Sequence, residues 1–292
     1  LKFDVEGIGE VRRKFFGTLY NTYSFFSLYA NIDGFTYSED DIPLDKRPEI
    51  DRWILSELHT LIEKVDTQYD NYEPTKAARL ISTFVIEDLS NWYVRLSRRR
   101  FWKGTYEADK IAAYQTLYTC LVSVAKLMAP IAPFYADRLY QDLDKTTAKE
   151  QYTSVHLAYF PDADKGFVDT VLEEKMQRAQ HIVSLVLSIR KKEKIKVRQP
   201  LQRVLIPALN RNVRQAIKEV SDLIAAEVNV KTIEILDDAS SILVKEIKPN
   251  FKTLGPRFGK EMKAVSEAII GFGQQAGRHP VAAQIKHIKT AG

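Results

Sequence analysis

The stretch Ile81-Ser-Thr-Phe-Val85-Ile-Glu-Asp-Leu89-Ser-Asn-Trp92-Tyr-Val-Arg95-Leu-Ser-Arg98-Arg-Arg-Phe-Trp102 decides how this chain folds. Ile81, Val85, Leu89, Trp92 and Leu96 recur at spacings of four, four, three and four, the mark of a helix with one face on a core. A second stripe, Asn91, Arg95, Arg98 and Trp102, lies roughly 100° around the same helix. An amide, two guanidiniums and an indole on an accessible face suit unpaired nucleic acid. Arginine can hold phosphate oxygens in a bidentate way, and tryptophan or arginine can stack on a splayed base. The alternative is a solvated charged face whose arginines pair with nearby carboxylates.

Outward from this stretch the first half reads as long helices. Glu73-Pro74 opens the helix that carries it, with proline tolerated in the first turn, and Lys103-Gly104 closes it. Upstream, a helix is expected from Glu6 to Ala30, ending near Asp33-Gly34. An acidic connector, Tyr37 to Pro48, then leads to a helix opening near Glu49 with Ile54, Leu58, Leu61, Ile62 and Val65 in register. Downstream, Ile111, Tyr114, Tyr118, Leu121, Ala125 and Met128 mark another helix, stopped near Pro130 and followed by a shorter one from Pro133 to Leu143. Amphipathic helices with short connections predict a bundle.

The pattern changes near residue 150. Ser154 to Tyr159 reads as a short extended segment. A helix follows with Leu172, Met176, Ala179, Val183 and Leu187 on one face and a basic end at Arg190, Lys191, Lys192, Lys194, Lys196 and Arg198. Strands are expected over Gln202 to Leu209, Val228 to Leu236 and Ile242 to Ile247. Between the first two lies a helix from Arg211 with Val213, Ile217, Val220 and Ile224 on one face. Phe251 to Gly259 reads as a loop, and Lys260 to about Ile270 as a helix. The fold class expected is mainly α: a helical bundle over residues 1–150, a connector over 151–165, and a smaller α/β carboxy-terminal domain over 166–292.

Composition narrows the function classes. The chain has 292 residues, 45% hydrophobic and 28% charged, the make-up of a soluble globular protein. The richest apolar run, Leu117 to Tyr135, is interrupted by Lys126 and two prolines, so no membrane span is expected. The first residue is Leu and no signal-peptide pattern follows, which reads as a piece of a longer protein. A single cysteine, Cys120, excludes an internal disulfide and a multi-cysteine zinc site. Together with five histidines lacking metal-ligand spacing, it points to a reducing cytoplasm and no metal. Residues 1–150 carry 20 Lys and Arg against 23 Asp and Glu, whereas residues 151–292 carry 23 against 15. A basic second half suits a polyanion, because lysine and arginine gain affinity by displacing counterions from phosphates.

Catalytic signatures fail. Gly255-Pro-Arg-Phe-Gly259-Lys260-Glu261 is one residue short of a P-loop and has Glu where Ser or Thr must reach magnesium. Gly7-Ile-Gly9 lacks the third glycine and the preceding strand of a dinucleotide fingerprint. Glu173-Glu174 and similar pairs sit on amphipathic helices as solvated surface.

Several pieces keep their order along the first half: Tyr20-Asn-Thr-Tyr-Ser-Phe-Phe26, Tyr29-Ala-Asn-Ile-Asp-Gly-Phe35, Asp51-Arg-Trp-Ile-Leu55, Asp88-Leu-Ser-Asn-Trp-Tyr-Val-Arg95, Arg98-Arg-Arg-Phe-Trp102 and Leu127-Met-Ala-Pro-Ile-Ala-Pro133. In the second half they are Ser154-Val-His-Leu157, Lys196-Val-Arg-Gln-Pro-Leu201 and Asn250-Phe-Lys-Thr-Leu-Gly-Pro-Arg-Phe-Gly-Lys260. Together they resemble the carboxy-terminal portion of isoleucyl-tRNA synthetases, in the eukaryote-like branch that also occurs in some bacteria. The first group is similar to the anticodon-binding bundle of class I synthetases. A valyl or leucyl enzyme is the competing identity, and a protein-docking or structural appendage the competing role. Residues 271–292 show no clear match.

The resemblance implies a parent that joins isoleucine to its tRNA with ATP and magnesium in an upstream catalytic domain. Neither the HIGH-type nor the KMSKS-type motif occurs in this chain, so the piece itself is expected to bind isoleucine tRNA, as a monomer, without a cofactor and without aminoacylating it. The zinc-binding cysteines that end many bacterial enzymes are missing as well. Asn21 is expected to meet base edges, its amide offering donor and acceptor, with a helix-packing amide as the alternative. Ser24 stands where related enzymes often have Arg. Arg95, Arg98 and Arg99 are expected on phosphates and Trp102 on a base, while Trp92 and Tyr93 serve the core. In the second domain Lys191, Lys192, Lys194 and Arg198 are expected along the RNA backbone, and the Gly255 to Lys260 loop brings Lys260 to phosphate or base. For the last two groups a solvated helix end and a plain tight turn stay open as alternatives.

Overall fold

The computed structural model describes residues 4–208, 211–236 and 249–275. Helix α1 fills residues 5–33 as Val5–Val11, a wider π-type stretch Arg12–Phe16, and Gly17–Asp33. The backbone stays right-handed helical through both junctions. Gly34 ends it at φ +71, a left-handed position that glycine takes without cost. Helix α2 is Glu49–Asp70, its stripe Ile54, Leu58, Leu61, Ile62 and Val65 wholly buried. Helix α3 runs through Pro74–Thr83, the π stretch Phe84–Val94 and Arg95–Lys103. Helices α4 (Ala108–Met128) and α5 (Pro133–Thr147) complete the bundle.

Helix α4 is the bundle's axis. It is long and apolar enough to cross a membrane, yet 78% of its most apolar window is buried against the other helices. Tyr114 stacks on Phe35 at 4.8 Å and meets Phe101 edge-on at 5.0 Å, tying α4 to the turn after α1 and to the end of α3. Burial pushes the Cys120 thiol up and nearby Asp51 adds to it, so this cysteine is inert core.

Residues 1–176 and 177–292 form two compact units. The segment after α5 belongs to the first. The expected extended stretch Ser154 to Tyr159 is instead a set of turns. The Asp137 carboxylate accepts the Ser154 hydroxyl (2.7 Å) and the Val155 amide (3.0 Å), and the Leu157 amide folds back on the Ser154 carbonyl. Helix α6, Thr170–Lys192, follows. Its Glu173 is not solvated surface: it accepts the hydroxyls of Ser56 (2.6 Å) and Thr60 (2.7 Å), fastening α6 to α2.

In the second unit β1 (Leu201–Pro207) and β2 (Val230–Leu236) pair in parallel, from Leu201 opposite Val230 to Pro207 opposite Leu236. A parallel pair needs a long crossover. Here it carries two helices, α7 (Arg211–Lys218) and α8 (Ser221–Val228), where one was expected. The Ser221 hydroxyl donates to the Lys218 carbonyl at the break, and the bend lets Ile217, Val220, Ile224 and Val228 all bury; Val213 stays out. The Phe251 to Gly259 stretch, expected as a loop, is helix α9 (Phe251–Phe258). Asn250 starts it by accepting the Lys252 amide on its side chain. A tight turn at Gly259–Glu261, with Gly259 at φ +43, leads to α10, Met262–Gln275. The strand expected over Ile242 to Ile247 lies outside the described residues.

Candidate nucleic-acid interface

The last part of α3 sorts its side chains by helical position. Ser97 and Phe101 are buried, with Tyr93 and Val94 one turn earlier. Arg95, Arg98, Arg99 and Trp102 stand at i, i+3, i+4 and i+7, which places them on one outward face. All four are exposed, Trp102 by 57% despite its size. With Phe25 and Tyr29 of α1 they line an open groove of about 570 Å³. Phe25 meets Tyr29 at 5.0 Å and Phe101 edge-on at 5.1 Å, so its ring is held from both helices. The groove therefore offers aromatic faces beside a row of guanidiniums.

Each cation is oriented differently. Arg95 donates from Nε to the Asn91 carbonyl at 2.6 Å and lies 6.0 Å from the centre of the Trp92 ring. Arg98 and Arg99 make no ion pair among the described residues, so the alternative of a carboxylate-paired surface does not describe them. Lys103 lies 5.3 Å from the Trp102 ring centre and adds positive charge at the groove's end. Asn91 donates weakly to Glu87 at 3.4 Å. Row, rings and spacing together suit a phosphate backbone with unstacked bases.

Arg100, flanked by Arg99 and Phe101, faces inward. Its NH1 and NH2 groups donate to the two Asp51 oxygens at 2.6 and 2.8 Å, and Nε donates to Asp109 at 3.0 Å. Tyr93 donates its hydroxyl to the same Asp51 carboxylate at 3.0 Å. Burial holds the Tyr93 hydroxyl well above the usual tyrosine range, and the Asp51 charge adds to this, so it remains a donor.

The sequence expectations divide accordingly. Arg95, Arg98, Arg99 and Trp102 are brought together, and Trp92 and Tyr93 are core as expected. Asn21 is exposed on α1 one turn before Phe25, and Ser24 is half-buried beside it, but neither lines the groove. Phe25 and Tyr29 were missed as groove residues. Their four-residue spacing is a signal, yet Tyr20, Tyr23, Phe25, Phe26 and Tyr29 offer several aromatic registers.

In the second unit Lys191, Lys192, Lys194 and Arg198 are all exposed around the end of α6 and the turns after it. Arg190 is buried there and donates to the carbonyls of Lys196, Gln199, Val228 and Asn229 at 2.8–3.1 Å. Lys194 sits at φ +57 and returns its amide to the Lys191 carbonyl. The side chain of Lys260 lies outside the described residues.

The model of the anticodon-binding domain of tRNA ligases matches residues 51–206. The chain is 61% identical over 276 residues (94% of its length) to the isoleucine–tRNA ligase of Bacteroides fragilis. It is 59% identical over all 292 residues to that of Porphyromonas gingivalis, and 41% identical over 268 residues (92%) to that of Thermus thermophilus. It spans about a quarter of the length of these curated relatives, 24%, 25% and 26% in turn. With more than half of its residues inside the matched model and a helical bundle at its front, the chain belongs to the anticodon-binding domain family of tRNA ligases.

Proposed function

We propose that this chain holds the anticodon stem-loop of isoleucine tRNA, as the anticodon-reading part of an isoleucine–tRNA ligase. The observation that carries the reading is the groove between α1 and the end of α3, where Arg95, Arg98, Arg99 and Trp102 share one face with Phe25 and Tyr29. The guanidiniums take phosphates, and the rings receive bases that leave the loop's stack. Asn21, a turn away on α1, reads a base edge, and Ser24 beside it leaves that stretch of α1 uncharged. In the second unit Lys191, Lys192, Lys194 and Arg198 follow the backbone of the same tRNA, with Lys260 as a further phosphate contact.

Activation of isoleucine with ATP and magnesium belongs, in this reading, to a catalytic domain of the parent polypeptide, which acts as a monomer in the cytoplasm and not at a membrane. The eukaryote-like branch is proposed on the sequence alone, from the ordered segments that run from Tyr20 to Lys260. The relatives given above are bacterial, so within that branch the chain would stand with its bacterial members.

The experiment is titration of this chain with isoleucine tRNA transcript, valine tRNA transcript and an isoleucine tRNA carrying a swapped anticodon, at two salt concentrations. Preference for the isoleucine anticodon, with affinity falling steeply as salt rises, is the expected result. Equal binding to all three would reduce the chain to a general RNA-holding module, and no binding at either salt would make it a docking appendage.

A further inference from the structure

We propose that Asp51 is a positioning residue for this interface: acting through Arg100, it fixes the rotation of the Arg95–Lys103 helix and so the direction in which Arg95, Arg98, Arg99 and Trp102 face. The proposal rests on the RNA-binding reading of the groove. The need for such a device comes from the helix itself. Residues Phe84–Val94 take the wider i→i+5 winding, so each residue turns the helix by less than in an α-helix. The apolar stripe entering that stretch therefore does not set the phase of the stripe leaving it. Leu96, which continues the α-helical count from Trp92, is only half-buried, and Ser97 and Phe101 take the core positions.

What sets the phase is a charge pinned in the core. Asp51, in the first turn of α2, is 0% exposed. Its two oxygens take both terminal nitrogens of Arg100, and Tyr93 donates to one of them from the π stretch. Asp109, in the first turn of α4, takes Nε of Arg100 on its carboxylate and NH2 on its carbonyl at 2.7 Å. All three guanidinium nitrogens are thus committed to two other helices. A buried carboxylate with a bidentate arginine adds geometric specificity, and losing the pair is costly, so rotation of the helix works against it. Gly104 closes the device. A Cβ there would come within 2.7 Å of the Arg100 carbonyl oxygen, so the chain can leave the helix tightly behind Arg100 only with glycine at this position. With Arg100 and Phe101 turned in, residues 95, 98, 99 and 102 are turned out.

The test uses protein labelled with 5-fluorotryptophan, which gives three fluorine resonances, Trp102 being assigned by Trp102→Phe. Asp51→Asn keeps the side-chain shape and removes the charge. We expect the Trp102 resonance to shift or broaden in the free protein. Affinity for isoleucine tRNA should fall about tenfold, with a shallower salt dependence, as the arginines lose their common direction. Glu150→Gln removes a half-buried ion pair with Lys126 elsewhere in the bundle and should leave both readouts unchanged. A folded Asp51→Asn protein with a wild-type Trp102 resonance and salt slope, even at a lower melting temperature, would overturn the proposal. Should Asp51→Asn not fold, Asp109→Asn loosens the outer arm of the clamp and must move the same readouts in the same direction, by less; no movement there overturns it too. If the wild-type chain binds no tRNA, the RNA reading fails by itself, while the Trp102 resonance still decides whether Asp51 sets the helix's rotation.

Discussion

The two basic regions of this chain each bury one arginine and expose the rest, but they do it in different chemical company. In the first unit Arg100 meets two carboxylates, and its exposed neighbours Arg95, Arg98 and Arg99 share a groove with Phe25, Tyr29 and Trp102. In the second unit Arg190 meets only backbone carbonyls, and Lys191, Lys192, Lys194 and Arg198 stand around it as separate charges with no ring contact among the described residues. A carboxylate partner cancels the buried charge and leaves the exposed guanidiniums to define the local field. Carbonyl partners cap a helix end and hold a turn, a folding task. In the proposed reading the first region recognises RNA and the second attracts it.

The largest effect should come from the arginine that only folds. Arg190→Met leaves the carbonyls of Gln199 and Val228 without this donor, while those of Lys196 and Asn229 keep the Gln199 and Leu201 amides. Urea denaturation should show a loss of about 3 kcal/mol in the second unit, since each buried acceptor left unpaired is costly. The salt dependence of RNA binding by the protein that remains folded should not change. A loss under about 1 kcal/mol would mean that water replaces the guanidinium easily and that the contrast with Arg100 is overdrawn.

Changing Arg95, Arg98 and Arg99 together to Gln should lower affinity for isoleucine tRNA about a hundredfold near 0.1 M salt, with little change in stability. The matching change of Lys191, Lys192, Lys194 and Arg198 should cost only about tenfold, nearly all of it removed by raising salt. Fluorescence anisotropy across a salt series measures both. If the second set costs more than the first, the principal site lies in the second unit.

The aromatic part of the groove separates the regions further. Trp102→Ala should weaken tRNA binding by about 1–3 kcal/mol if its ring stacks on a base. This loss should persist at high salt, where the loss from the second unit's cations has faded. Unchanged affinity in the folded variant would remove Trp102 from the interface.

Which parts of this were legible in the sequence follows from how far each signal reaches. The helices of the bundle are amphipathic over many turns, so counting by 3.6 found them, and the same count turned Asn91, Arg95, Arg98 and Trp102 outward. The inward turn of Arg100 was not legible, because its partner Asp51 is 49 residues away and nothing local separates it from Arg98 or Arg99. Phe25 and Tyr29 were hidden in a run of aromatics whose registers compete. Helix α9 reads as a loop from its sequence because Gly255 and Pro256 outweigh the cap at Asn250. The Ser154 turns arise from Asp137, again a partner beyond the reach of local pattern.

Glu57 sharpens the comparison from the acidic side, as a half-buried carboxyl with no ion pair among the described residues, on which Lys64 acts too weakly to offset burial. It lies on α2, and burial raises its carboxyl to about 7 from an ordinary value of 4.5, with Asp88 and Glu173 pushing the same way. The Trp53 indole donates to it at 3.3 Å, a neutral partner that does not offset the desolvation. A folded-state value above the unfolded one means that the folded protein holds the proton more tightly. The stability this contributes is complete below about pH 4.5 and is lost as pH rises through about 7. Glu57→Gln keeps the acceptor for Trp53 and never ionises. It should therefore raise stability at about pH 8 by about 1–2 kcal/mol, and flatten the decline that the wild type shows from about pH 5 upward. Chemical denaturation at a series of pH values tests this. Parallel curves for the two proteins would mean that Glu57 reaches water when charged, and that in this bundle a carboxylate without an ion pair is tolerated where Arg100 demanded two.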